Sequence, residues 1–205
     1  MPKIRAASID EHKELTRRSL LDAAYQVIEE AGSAEVPLGD IALAAGVGRT
    51  TFYDYFEDRD DVIASLVEDK LPDVIAELID TVPGDLATAD RLAKLATATV
   101  EFVATDQVLG VILHREAGRM GLEAQERIGE SHAKLATEMA SIYMKGVSEG
   151  VFRPLPFYLA GRLIQDTIMS AARALIDDDS RRQEVTKGVE AFLIGGLSAG
   201  PTGNG

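Results

Sequence analysis

An all-α fold is what this sequence of 205 residues predicts: a small N-terminal three-helix domain, joined through a shared fourth helix to a larger helical bundle. Three observations predict it. Strand signals are nearly absent, because β-branched residues seldom alternate with polar ones. Apolar residues instead recur at helical spacing, among Ala, Leu, Glu and Arg, along almost the whole chain. The pattern breaks at a few Gly and Pro positions, which mark helix ends and give about nine helices in total.

The first helix fits Glu11 to Ala31, with Leu15, Leu20 or Leu21, Ala24, Val27 and Ile28 as its apolar stripe and Gly32 as its stop. Pro37 pre-sets a second helix that runs to about Ala45, and Gly46 ends it. A third covers Arg49 to Tyr55. Asp58 caps a fourth, whose inner face carries Val62, Ile63, Leu66 and Val67. Pro72 lacks an N–H and crowds the preceding turn, so it should kink or end that helix. Beyond Pro83-Gly84, helices are expected at 86–104, 106–118, 121–149, 155–177 and 180–197. Gly150 closes the long one, and Pro154 and Pro156 open the next. The tail from Ser198 to Gly205, SAGPTGNG, reads as disordered. The expected domains are therefore 1–60, ordered from about residue 11, and 61–197, with 198–205 as a tail.

Composition narrows the function classes. No apolar run approaches the roughly 18–20 residues that span a bilayer, so no membrane partner is expected. The N-terminus, MPKIRAASIDEHKEL, lacks the apolar core of a signal peptide, which makes a cytoplasmic location the default expectation. The chain has no cysteine, hence no disulfide and no thiolate metal site. His12, His114 and His132 fit no Glu-x-x-His pair and no His-Glu-x-x-His motif, so neither a metal nor any other cofactor is expected, and no catalytic site. The many carboxylates read as solvated helix faces. Net charge is −13. Residues 1–60 carry 7 Lys/Arg against 12 Asp/Glu, and residues 61–205 carry 14 against 22. Any contact with nucleic acid must therefore use a local cluster, with weak long-range steering.

The segment Ile41 to Phe56, IALAAGVGRTTFYDYF, supplies such a cluster. Ala42 is small where two helices must cross, and Gly46 allows the positive φ of a tight turn. Ile41, Ala45, Val47 and Phe52 fall where they close a small core. Arg49, Thr50, Tyr53 and Asp54 share the opposite face. Arg can read guanine bidentately, Thr can touch a thymine methyl or a phosphate, and Tyr can bond a phosphate oxygen. Asp54 would repel phosphate and is expected to meet a cytosine amino group or a neighbouring Arg. A solvated helical hairpin is the plainer alternative. A phosphate-binding loop is excluded: no strand precedes the glycines, and Leu43 and Arg49 stand where Gly and Lys are needed.

Residues from about Leu20 to Val67 resemble the N-terminal DNA-binding domain of the TetR/AcrR family of helix-turn-helix transcriptional regulators. The matching words are LLDAAYQVIEEAG, DIALAAGVGRTTFYDYF, and Arg59 with DDVIASLV after it. The remainder is similar to the family only in length and helical character. The resemblance implies that Arg49, Thr50 and Tyr53 contact double-stranded DNA, with Thr51 and Tyr55 near phosphates. Arg59 stands where the family usually has a phosphate-binding Lys, and Arg17 and Arg18 would add backbone contacts. Pro37 and Gly48 replace the family's frequent Ser or Thr, so backbone N–H groups, that of Gly48 included, would take over from the lost hydroxyls. Tyr55 replaces a common His.

The resemblance also implies a homodimer built on the last two long helices, reading a palindromic operator. Ala160, Thr167, Ala171 and Ala174 form a small-residue stripe on one helix, and Val185, Val189, Phe192 and Gly196 a second on the other. The alternative is that both stripes pack inside one subunit. Candidates for a small, mainly apolar effector are Phe102, Ile112, Met139, Tyr143 and Met169, with His114 and Gln165 as polar anchors in apolar surroundings. A ligand-responsive repressor is the expectation. An activator of the same architecture, or a helical adaptor that binds no DNA, are the alternatives.

Overall fold

The computed structural model describes residues 2–106 and 108–199, without the side chains of 2–8 and of His114. Every extended element among them is helical. The residues cluster into two compact units, Met1–Lys70 with Gln107–Ile128, and Leu71–Asp106 with Gly129–Gly205. A division at residue 60, as expected from sequence, falls inside the first unit.

The first unit contains α1 (Pro2–Ala31), α2 (Leu38–Ala44), α3 (Arg49–Tyr53) and the start of α4 (Arg59–Thr81). α1 begins nine residues earlier than its apolar stripe indicated. α2 ends in a Schellman turn: Gly46 takes φ +69°, its N–H donates to Leu43 O at 3.0 Å, and Val47 N–H donates to Ala42 O at 3.0 Å. Space does not demand glycine there, since nothing lies within 4 Å of an added Cβ. The left-handed backbone does. Asp58 caps α4 by accepting from Asp61 N–H at 2.9 Å, and Asp61 Oδ2 accepts from Glu57 N–H at 2.9 Å. Residues 62–67 of α4 are buried on every face. Pro72 neither ends nor replaces the helix, which continues to Thr81. It is exposed, so water can take the Glu68 carbonyl that its missing N–H leaves without an intrahelical partner.

Residues 107–128 complete this unit and depart from the single helix expected at 106–118. A short α6 (Leu109–Val111) passes into a π-helical stretch, Ile112–Glu116, and then a 3₁₀ turn, Ala117–Arg119. Such stretches are uncommon and often mark functional places.

The second unit is built from α5 (Thr88–Thr105), α8 (Ala133–Ser148), α9 (Phe157–Asp177) and α10 (Arg182–Leu197). α5 packs against α8, α9 and α10, and α9 against α10. The long helix expected at 121–149 is two helices, α7 (Leu122–Ser131) and α8, separated at His132, whose N–H donates to Gly129 O at 3.2 Å. Gly129 and Ser131 are weak helix formers, so a tight turn costs little there.

α8 closes with a second Schellman turn at Gly150, φ +72°. The Phe152 ring then lies directly on Gly146 and stacks on Tyr143 at 6.0 Å between centroids. Tyr143 Oη donates to Arg153 O at 2.9 Å and accepts from Leu155 N–H at 2.8 Å. The end of α10 joins the same cluster: Arg153 N–H donates to Leu197 O at 2.7 Å, and Ala199 N–H to Val151 O at 2.9 Å. Ser198 and Ala199 are thus ordered, contrary to the expected tail, while 200–205 lie outside the described residues.

A Cβ on Gly146 would sit 2.1 Å from Phe152 Cδ2, on a ring that is 1% exposed. Gly146→Ala should therefore lower stability by about 1–3 kcal/mol through overpacking. Chemical denaturation checks it, and an unchanged midpoint would mean that the ring moves aside freely.

Candidate nucleic-acid interface

α3 is five residues long, too short to persist alone, and its hold on the unit comes from aromatic burial. Phe52 is fully buried and Phe56 nearly so, with ring centroids 5.6 Å apart. Ile41 and Ala42 of α2 are buried beside them in sequence, whereas Ala45 and Val47, also expected in this core, are half-buried. α3 stops at Tyr53, two residues before the expected end, with Asp54 as its C-cap.

The opposite face is open. Gly48, Arg49, Thr50, Tyr53 and Asp54 are exposed, and Thr51 and Tyr55 are half-buried. Arg49 Nη2 donates to Tyr53 Oη at 3.5 Å, and its guanidinium lies 5.9 Å from the Tyr53 ring centroid. The tyrosine hydrogen bond, followed by its charge interaction, raises the Arg49 pKa. The guanidinium is thus charged and pre-aligned along the face. Pro37 and Gly48 occupy the N-cap positions of α2 and α3 with no side-chain cap bond, as their missing hydroxyls require. The N–H groups of α3's first turn therefore remain available to an anion.

The remaining cations divide. Arg18 is exposed, and Arg17 is half-buried with its guanidinium 5.7 Å from the Phe56 ring centroid. Arg59, expected at a phosphate, is turned inward. Its Nε donates to Ala34 O and its Nη2 to Glu116 Oε2, both at 2.9 Å. Behind it stands a second charged cluster that the sequence did not reveal. Arg127 donates from Nη1 to Asp61 at 2.7 Å, from Nε to Glu68 at 2.8 Å, and from Nη2 to Ser65 at 2.7 Å. Asp60 Oδ2 accepts from Gly121 N–H at 2.7 Å. Acids at a helix start suit the dipole of any helix, so DRDD gave no sign of partners about sixty residues away.

This pairing of an exposed Arg/Thr/Tyr face with a buried aromatic wedge is accompanied by a match in known proteins. Residues 20–66 match the family described as bacterial regulatory proteins, tetR family, and residues 85–173 match the tetracyclin repressor-like C-terminal domain. The chain belongs to the TetR family. The "Fatty acid metabolism regulator protein" of Bacillus subtilis is 25% identical over 181 residues, covering 87% of this chain and 93% of the relative. The repressor LfrR of Mycolicibacterium smegmatis is 48% identical over 54 residues, 26% of this chain and 28% of the relative. Among solved structures, the fatty acid degradation regulator FadR of Bacillus halodurans superposes with a TM-score of 0.73 at 26% identity, covering 89% and 96% of the two chains. TetR proteins and these relatives are transcriptional regulators rather than enzymes, and this chain is a transcriptional repressor of that family. No helix among the described residues is long and apolar enough to cross a membrane.

The other candidate sites of this TetR regulator are less coherent. Ile112 belongs to the first unit and is fully buried; His114 belongs there too, with its side chain outside the description. Phe102, Met139, Tyr143, Gln165 and Met169 belong to the second. Met139 is buried, Phe102 and Met169 half-buried, and Tyr143 is committed to the α8–α9 loop. Gln165 does not sit in apolar surroundings; it is exposed on α9. Of the two small-residue stripes, Ala160, Ala171 and Val189 are buried within the chain, and Thr167 and Val185 half-buried. Only Ala174, Phe192 and Gly196 are exposed, beside the exposed Leu159 and Leu163.

Burial raises the pKa of Asp61, but the Arg127 hydrogen bond, the Glu57 N–H, the Arg127 charge and the Ser65 hydroxyl together hold it below the ordinary carboxylate value. Its stabilisation is complete above the unfolded pKa of about 3.9 and is lost as pH falls through the lower folded value. Asp61→Asn should therefore lower stability at neutral pH and flatten the acid loss below about pH 4, as measured by denaturation across that range.

Proposed function

We propose that this repressor acts as a homodimer on a palindromic operator and is released by a small, mainly apolar effector. The observation that carries the reading is the Arg49/Thr50/Tyr53 face, exposed on a helix anchored by Phe52. A solvated hairpin or a protein adaptor has no need of so rigid a polar face. Thr51, Tyr55, Gly48, Arg17 and Arg18 would add contacts to the phosphate backbone, which fix register without reading sequence. Operation in the cytoplasm follows from a DNA target.

Dimerisation is supported by what α9 and α10 leave uncovered. Phe192 is 67% exposed, Leu163 45% and Leu159 36%, large apolar side chains that a second copy could cover. Two reading heads about 34 Å apart would then meet half-sites one turn apart. An effector bound in the 86–177 region would favour a state with the heads wrongly spaced. Its apolar character is supported by Phe102, Met139 and Met169, and by relatives whose names tie them to fatty acid metabolism or degradation.

Arg49→Ala should weaken operator binding by about 1–3 kcal/mol with the dimer intact, measured by fluorescence anisotropy. Unchanged affinity would remove the base-contact assignment. Phe192→Glu should yield monomers in analytical ultracentrifugation, and a surviving dimer would reject the α9–α10 interface. Selection from random DNA should enrich a palindrome. Failure to enrich one would count against the whole reading.

A further inference from the structure

We propose that Arg59 is a positioning residue of the reading head, held by Glu116, and that it takes no phosphate of the operator. The proposal rests on the DNA-binding role argued above. Its geometry joins three segments of the first unit through one guanidinium: Ala34 before α2, Arg59 at the start of α4, and Glu116 at the end of the π-helical stretch. Ala34 itself is fully buried.

Glu116 is only 7% exposed. Drawing Arg59 out to a phosphate would leave that carboxylate buried without its cation, which is the costly way to break such a pair. The surroundings oppose the move as well. Asp58, Asp60 and Asp61 crowd the first turn of α4, a field that repels phosphate. The same segment is pinned a second time, by Asp60 on Gly121 N–H and by Arg127 on Asp61, Ser65 and Glu68. The side-chain hydrogen bond to Glu68 leads the interactions that raise the Arg127 pKa, so this second tie stays charged.

The work of Arg59 is therefore internal. Ala34 leads through Pro37 into α2, and the α2 Schellman turn sets the start of α3. Fixing Ala34 against α4 thus fixes the approach of the recognition helix. Glu116 also reports its own helix: a return from π to α spacing would swing its carboxylate by roughly 100° about the axis, away from Arg59.

Operator affinity of the full chain is measured against salt concentration for wild type, Arg59→Ala, Arg59→Lys, Glu116→Gln and the Ala/Gln double variant, each checked for folding by thermal melting. Arg59→Ala and Glu116→Gln should each bind roughly tenfold more weakly, the loss of a hydrogen bond to a charged group. Both should keep the wild-type salt slope, and the double variant should be no weaker than either single one. Arg59→Lys should fail to restore affinity, because one ammonium cannot span both acceptors. An Arg59→Ala slope reduced by about 0.9, rescue by Lys, or wild-type binding by Glu116→Gln would each overturn the proposal. Glu116→Gln, which keeps the side-chain volume, carries the test where Arg59→Ala does not fold. Failure of wild type to bind any selected operator is a different result: it rejects the DNA-binding reading itself.

Discussion

A helix of five residues cannot hold itself in water, because nucleation costs more than its few hydrogen bonds return. α3 exists because Phe52 is driven into the first unit, with Phe56 beside it. Burying one such ring contributes roughly 1.5–3 kcal/mol. That single anchorage also decides orientation. With Phe52 inward, the 3.6-residue repeat leaves Arg49, Thr50 and Tyr53 no direction but outward. The Schellman turn at Gly46 then fixes how α3 leaves α2, so two local constraints define a rigid polar edge. Everything the chain does with DNA depends on that edge being presented without further ordering cost.

Legibility in the sequence follows from the range of the interactions. Gly46, the bare N-caps at Pro37 and Gly48, Asp58 as a cap, and Phe52 facing inward were all readable, because each is settled within about one turn. Of the two outcomes expected at Pro72, a kink or an end, the end does not occur, because local rules assign the clash but not the solvent that can take the freed carbonyl. The break at His132 and the π-helical stretch at Ile112–Glu116 were invisible for a similar reason: periodicity continues across both. The Ala160, Ala171 and Val189 stripes illustrate a further limit. Spacing identifies a face that packs closely, but it cannot say whether the neighbour is the same chain or a second copy. Burial places these three inside the subunit and leaves Phe192 and Gly196 outside. The intramolecular partners of Arg59 were not readable, since its acceptors at Ala34 and Glu116 lie 25 and 57 residues away.

An acidic chain that binds DNA also needs an account of its charges. Part of the surplus acid near the reading head also serves as a set of internal partners. Glu116, Asp60, Asp61 and Glu68 are each committed to Arg59, Arg127 or a backbone N–H. Arg59 and Arg127 are engaged in these bonds, whereas Arg49 and Arg18 are exposed. In the proposed dimer, operator binding by such a head would depend on placement more than on counterion release.

That balance bears on how an effector could work. Turning a population from 1:99 to 99:1 takes about 5.5 kcal/mol of differential affinity. The ties at Arg59 and Arg127 are part-exposed, so each contributes on the order of 1 kcal/mol after solvent screening. Their sum is smaller than the required shift, yet larger than thermal energy. They are therefore well suited to keep residues 107–128 moving as one body with the reading head, and ill suited to drive the transition themselves. The driving energy must come from the effector's own contacts. The charged ties determine only which residues follow. On that reading, a head held this way would follow a change in the π-helical stretch without repacking Phe52, so the reading edge would be moved intact instead of being dissolved.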